Sequence, residues 1–176
     1  MPTDARPYFR RRIKDLVLGA NDGIITTFAI VTGATGANLS PRVALVLGIA
    51  NLFADGLSMG ASNYLGRRSE SDCDAGGERR VAREAGIATF LAFLVAGLVP
   101  LLAFVVPMDG SARFPTACVL TGAALFGFGA LRTRVTRRGW LPSGLEMLAI
   151  GAAAATVAYV VGWALAGLVG TDGTRA

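Results

Sequence analysis

Five long apolar blocks separated by short polar connections limit what this chain can fold into more than any other feature. They lie near residues 16–36, 43–66, 86–106, 114–131 and 141–169. A hydrocarbon core of about 30 Å takes roughly 20 helical residues to cross, and each block reaches or approaches that length. The blocks are rich in Ala and Leu, and none shows the period-two alternation that a membrane barrel requires. The expected fold is all-α: a polytopic membrane protein with five transmembrane helices, organised as a single transmembrane domain over residues 1–176. A composition of 53% hydrophobic and 16% charged residues fits that class.

A net charge of +5 raises the question of a nucleic-acid partner, and the distribution of the charge argues against one. Arg6, Arg10, Arg11, Arg12 and Lys14 precede the first block; Arg67, Arg68, Arg79, Arg80 and Arg83 follow the second; Arg132, Arg134, Arg137 and Arg138 follow the fourth. With five alternating spans, these 14 of the 17 basic residues fall on one side of the membrane, leaving Arg42, Arg113 and Arg175 on the other. The positive-inside rule then makes the N-terminus cytoplasmic and the C-terminus external. Topology accounts for the basic clusters, and no nucleic acid is expected. Arg outnumbers Lys 16 to 1, a bias of GC-rich bacterial genomes, which suggests a bacterial plasma membrane.

The basic start resembles the n-region of a signal peptide, but the block behind it contains Asp22 and runs to full spanning length, so the first helix is expected to stay in the membrane. Cys73 and Cys118 fall in a connection and in a span, and no disulfide is expected between them. The chain has no histidine, which removes the commonest zinc and copper ligand and excludes Ser-His, Cys-His and HExxH catalytic arrangements. An enzyme is not expected, nor is a resident cofactor.

Most acids fall in connections and tails where water can solvate them, but Asp22, Asp55 and Glu146 fall within the blocks, with no basic residue inside a span to pair with them. An ionisable group in a span costs at least a few kcal/mol, so it faces a bundle interior or a wet cavity and marks function. Depth can be estimated from the helical rise: Asp22 lies eight residues past Lys14, Met59 eight before Arg67 and Glu146 eight past Arg138, each about 12 Å from its basic anchor. Three donors from three helices thus share one level, and Asp55 lies one turn deeper than Met59. In the second span Asn51, Asp55, Met59 and Asn63 recur every four residues and stack on one helix face, bordered by Ser58 and Ser62. Met59 alone reads as a core filler; at the level of two carboxylates it reads as a ligand. Oxygen donors with one thioether suit Fe²⁺ or Mn²⁺ better than Mg²⁺ or Ca²⁺, which make no use of sulfur. Gly19 and Gly23 bracket Asp22, while Gly56 and Gly60 bracket Met59; this spacing reads first as close helix packing, and beside an acid also as a place where carbonyls are exposed.

"NDGIITTFAIVTGATGA" in the first block, "ADGLSMGASNYLG" followed by "RRSE" in the second and "GLEMLAIGAAAATVAYVVG" in the fifth resemble the vacuolar iron transporter family, in the same order and over nearly the whole chain. The resemblance implies a homodimer of five-helix protomers that exports Fe²⁺, and often Mn²⁺, from the cytosol in exchange for protons. It also implies that the path runs between first helices, with Asp22 and Met59 contacting the metal. Two departures stand out. The large glutamate-rich cytoplasmic domain of well-known members is reduced to the run from Arg67 to Glu84, where Glu70, Asp72, Cys73, Asp74, Glu78 and Glu84 read as a solvated segment; and Asn63 stands where many members have Glu.

The expected function is proton-coupled export of Fe²⁺ or Mn²⁺, with Asp22 and Met59 as central ligands, Glu146 and Asp55 as further ligands or proton carriers, and Asn51, Ser58, Ser62 and Asn63 as a polar pathway. The partners are the metal ion, protons and the bilayer. A small organic-cation exporter would use the same acids without needing Met59, and a structural membrane assembly protein would need neither.

Overall fold

The computed structural model describes residues 5–73, 79–133 and 139–169. They form five helices: α1 (Ala5–Gly36), α2 (Pro41–Cys73), α3 (Arg79–Val105), α4 (Gly110–Arg132) and α5 (Trp140–Val169). Each contains a segment long and apolar enough to cross a membrane: Ile13–Gly36, Pro41–Glu70, Arg79–Val105, Gly110–Arg132 and Trp140–Leu168. The all-α expectation holds, and every helix starts earlier than its apolar block did. The run between the second and third blocks is mostly helical, because α2 continues to Cys73 and α3 begins at Arg79. Asp74, Glu78, Arg134, Arg137, Arg138 and Arg175 lie outside the described residues, as do the side chains of Asp72, Cys73 and the N-terminal arginines.

The turn between α1 and α2 follows from its sequence. Asn38 has φ 55, and the Leu39 amide bonds back to the Ala34 carbonyl at 2.9 Å while the Asn38 amide bonds to Thr35 at 3.1 Å. This is a Schellman termination with Asn, one of the few non-glycine residues that tolerates the left-handed region, at the reversing position. Ser40 then caps α2, its hydroxyl accepting the Val43 amide at 3.4 Å, and Pro41 occupies the first helical position where no N–H is needed.

Helix α1 is central and packs against all four others; α2 touches only α1 and α3, and α5 touches only α1 and α4. Lipid tails are as apolar as leucine, so helices associate in a bilayer through close packing more than through hydrophobic drive. The closest approaches are at glycines. A Cβ on Gly23 would collide with the Phe93 carbonyl, and one on Gly19 would lie 2.6 Å from the Thr89 carbonyl oxygen, so α1 and α3 meet backbone to backbone. Gly60 and Gly86 do the same for α2 and α3, each facing the other's carbonyl. The glycines around Asp22 and Met59 are therefore packing residues, all seated on α3.

The interior is apolar around Ile24, Val31, Leu52, Phe93 and Leu101 but also encloses hydroxyl groups, and the outside is apolar in the manner of a membrane protein. Thr27, Thr32, Thr89, Thr121 and Ser143 are buried, while Val157, Trp163 and Leu168 of α5 are exposed at 64%, 66% and 81%. Several threonines return their hydroxyls to their own helix: Thr32 to the Phe28 carbonyl, Thr35 to Val31 and Thr89 to Ala85. This satisfies the hydroxyl without breaking the helical ladder.

One acid expected in water is buried. Asp15 is only 5% exposed, and Nη2 of Arg67 donates to its two carboxylate oxygens at 2.8 and 2.7 Å, joining α1 to α2. The reason is the length of the helices: α1 begins ahead of its apolar block and α2 outlasts its own, so both residues sit on packed helix rather than in a tail.

Two stability predictions follow from these contacts. Gly23→Ala should lower stability by about 1–3 kcal/mol as an overpacked contact, whereas Gly127→Ala, where nothing lies within 4 Å, should be neutral or stabilising; thermal unfolding in detergent measures both. Breaking the ion pair with Asp15→Leu or Arg67→Leu should each cost about 3 kcal/mol, and the double variant should recover part of the loss, since the cost is that of the orphaned charge. Additive losses in that cycle would refute the pairing.

Candidate metal-binding site

The residues singled out in the first two spans come to lie along the packed pair α1 and α2. Asp22 on α1 and Asp55 on α2 are both half-buried, and their carboxylates are within electrostatic range of one another. Like charges on neighbouring helices inside an apolar bundle disfavour one another, and a divalent cation or a proton between them would relieve that. Asn51, Asp55, Met59 and Asn63 share one half-buried face of α2. The face beside it, carrying Leu52, Gly56 and Gly60, is buried against α3, and the opposite face, carrying Phe53, Leu57 and Leu65, is exposed. Ser58 and Ser62 lie on the exposed side.

Within the stripe the four residues differ in commitment. Asn63 is tied to α3, its Nδ2 donating to the Thr89 hydroxyl at 2.7 Å. Met59 packs against the core around Phe28, Leu52 and Phe93 while remaining half-buried. Asn51 Nδ2 is buried with no hydrogen-bond partner, and so are Asn21 Oδ1 and Thr27 Oγ1 on α1. A buried polar atom without a partner costs about 1–3 kcal/mol, so such atoms mark where water or an ion is accommodated. Three of these atoms belong to the two helices that carry the acids, Thr121 Oγ1 and Arg113 Nε on α4 are likewise without a partner, and Asn63 towards the basic end donates to Thr89.

Glu146 stands elsewhere. It projects from α5, which does not touch α2, and it is exposed, 3.9 Å from Arg132 of α4, and does not face the bundle interior, contrary to the expectation from its place within an apolar block. Asp22, Asp55 and Met59 are thus brought to one helix pair, and Glu146 is on the other flank of α1. Among the described residues no group of three or more His, Cys, Asp and Glu side chains forms a closed cage. What a single protomer offers is a half-site: two carboxylates, a thioether and an amide oxygen. That donor set fits a borderline divalent cation and is too oxygen-rich for copper.

Sequence reasoning passed over Asn21 and the Asp15–Arg67 pair. Asn21 adjoins Asp22, and Asp15 lies seven residues before Asp22, two turns along the same helix face, so helical periodicity carried on past Lys14 would have found it. Arg67 was assigned to topology alone, and only the packing of α2 on α1 shows its second role.

Known proteins are similar to this chain. Residues 13–84 and 73–163 match the VIT family. A vacuolar iron transporter of Plasmodium berghei is 45% identical over 60 residues, a stretch that covers 34% of this chain and only 22% of that protein. The vacuolar iron transporter homolog 1 of Oryza sativa is 31% identical over 166 residues, covering 85% of this chain and 72% of that protein, and homolog 2 is 29% identical over a stretch covering 85% and 88%. The family match spans the helices that carry the half-site and those that pack around it, and the chain belongs to the VIT family.

Proposed function

We propose that this protein carries Fe²⁺ and/or Mn²⁺ across a membrane and returns protons in exchange, exporting metal from the cytoplasm. The observation that carries the reading is the placing of Asp22 and Asp55 half-buried on two packed membrane-crossing helices, with Met59 one turn from Asp55 and Asn21, Thr27 and Asn51 carrying unpartnered polar atoms on the same helices. Relatives from plants and apicomplexan parasites that bear the name vacuolar iron transporter support iron as the cargo. The work is transport and not catalysis.

Proton exchange follows from the ligands. A carboxylate must give up its proton to bind metal, so occupancy by metal and by protons are alternatives at Asp22 and Asp55. A thioether gives Fe²⁺ an advantage over Mg²⁺ without demanding the soft ligands that would trap it. The half-site also argues for a homodimer: a second copy facing α1 would supply a second set of oxygen and sulfur donors and complete the coordination. Whether Glu146 enters as a later ligand or as a proton carrier depends on movement of the α4–α5 flank, and rigid-body motion of helices around a fixed site is a common route to alternating access. The basic ends of the helices favour a cytoplasmic N-terminus, and the arginine bias favours a bacterial plasma membrane.

Proteoliposomes with an imposed pH gradient test the reading. Wild-type protein should take up Fe²⁺ or Mn²⁺ in preference to Mg²⁺ and acidify the opposite compartment in step. Asp22→Ala should reduce flux about tenfold or more, a loss at least as large as those from changes outside a metal's direct ligands. Met59→Leu should erode Fe²⁺ over Mg²⁺ selectivity more than total flux. Transport of an organic cation unaffected by Met59→Leu would replace this reading, and metal flux unchanged in Asp22→Ala would end it.

A further inference from the structure

We infer that the groove between α2 and α3 at the basic end of the bundle is a binding site for an anionic glycerophospholipid. The groove is a cavity of about 580 Å³. Its rim carries Arg79, Arg80 and Arg83, and its wall is made of Leu57, Ala61, Ile87 and Phe90. Gly60 and Gly86 form its floor, where the two backbones are too close for a side chain between them. This layout is amphipathic along the membrane normal: guanidinium groups at the interface, then a smooth apolar channel leading inward.

The rim is net positive among the described residues. Arg80 is paired with Glu84 at 2.9 Å, and among the described residues Arg79 and Arg83 have no carboxylate partner. Both are exposed, so they can reach a phosphodiester, and two guanidiniums suit one phosphate through charge-assisted hydrogen bonds. Below them, Phe90 lies eleven residues from Arg79, about 16 Å along the helix, or roughly the depth of one leaflet. An acyl chain running from a headgroup held at the rim would cover Leu57 and Ile87, which are 65% and 51% exposed.

Other occupants fit less well. A free inorganic anion would use the arginines and leave the apolar wall bare. A second copy seated in this groove about a two-fold axis would set its own Arg79, Arg80 and Arg83 against these three, and like charges would oppose it there, away from the α1 face. An anionic lipid answers both features at once. The inference does not depend on the proposed cargo, because none of these residues belongs to the Asp22–Asp55 half-site.

Full-length protein purified in an uncharged maltoside detergent and examined by native mass spectrometry with added phosphatidylglycerol or phosphatidylcholine tests it. Wild type should retain one phosphatidylglycerol with about tenfold preference, the order expected from two interfacial arginines. Arg79→Gln/Arg83→Gln should remove the preference and Arg79→Lys/Arg83→Lys should keep most of it. Ala61→Phe, which fills the wall and leaves the charge, should lose retention altogether; thermal melting of lipid-free protein checks that each variant is folded, and should the Gln pair not fold, the Ala61→Phe result decides. Equal retention of both lipids by wild type, a preference that survives Ala61→Phe, or displacement of the lipid by millimolar inorganic phosphate would overturn the assignment. Loss of a dimer in place of a lipid would give the groove to a second copy.

Discussion

Backbone contact between α1 and α3 is the constraint on which the rest of this structure depends. Inside a bilayer the helices gain little from hiding leucine from lipid, so what holds them is the area of close contact, and close contact needs residues without side chains at the crossing. Gly19 and Gly23 meet Thr89 and Phe93 in this way, and Gly60 with Gly86 fastens α2 to an adjoining face of α3, where Gly97 meets both Gly23 of α1 and Leu52 of α2. With α1 at the centre and α2 beside it, Asp22 and Asp55 stand on helices whose rotation is limited by the glycine contacts that bracket them in sequence.

The polar residues divide into those the protein satisfies and those it leaves open. Asp15 and Arg67 neutralise each other at the basic end, Asn63 donates to Thr89, and Thr32 and Thr89 return their hydroxyls to their own helices. Asn21, Thr27 and Asn51 are left with unpartnered atoms on the helices that carry the paired carboxylates. Thr121 and Arg113 of α4 also carry buried atoms without a partner, so the unsatisfied groups are spread over α1, α2 and α4, and those beside Asp22 and Asp55 are the ones the proposed path would use. Outside that path the surface is apolar where lipid tails touch it and basic where headgroups do, and the α2–α3 groove joins those two surfaces.

Much of this was legible in the amino-acid order. Length and apolarity sufficed for the five helices because the bilayer admits no other way for such blocks to cross it. The i, i+4 stripe from Asn51 to Asn63 could be read from helical geometry alone, and it survives as one half-buried face. The turn at Asn38 and the cap at Ser40 are equally local. Asp15 was misjudged because hydropathy marks the apolar block and says nothing of how far the helix continues beyond it.

What the sequence determined by itself was therefore local and periodic: which segments cross, which residues share a helix face, and how far each stands from its basic anchor. Those follow from a rise per residue and a membrane thickness, both of which are fixed quantities. Which helix faces which neighbour was decided only by the tertiary structure. Asp22, Met59 and Glu146 share an estimated height, yet α2 and α5 lie on opposite flanks of α1 and do not touch, so equal depth did not bring Glu146 to the other two. Rotation of a helix about its axis and its choice of partner depend on the summed fit of many small contacts between distant parts of the chain, and no spacing within one segment contains that information.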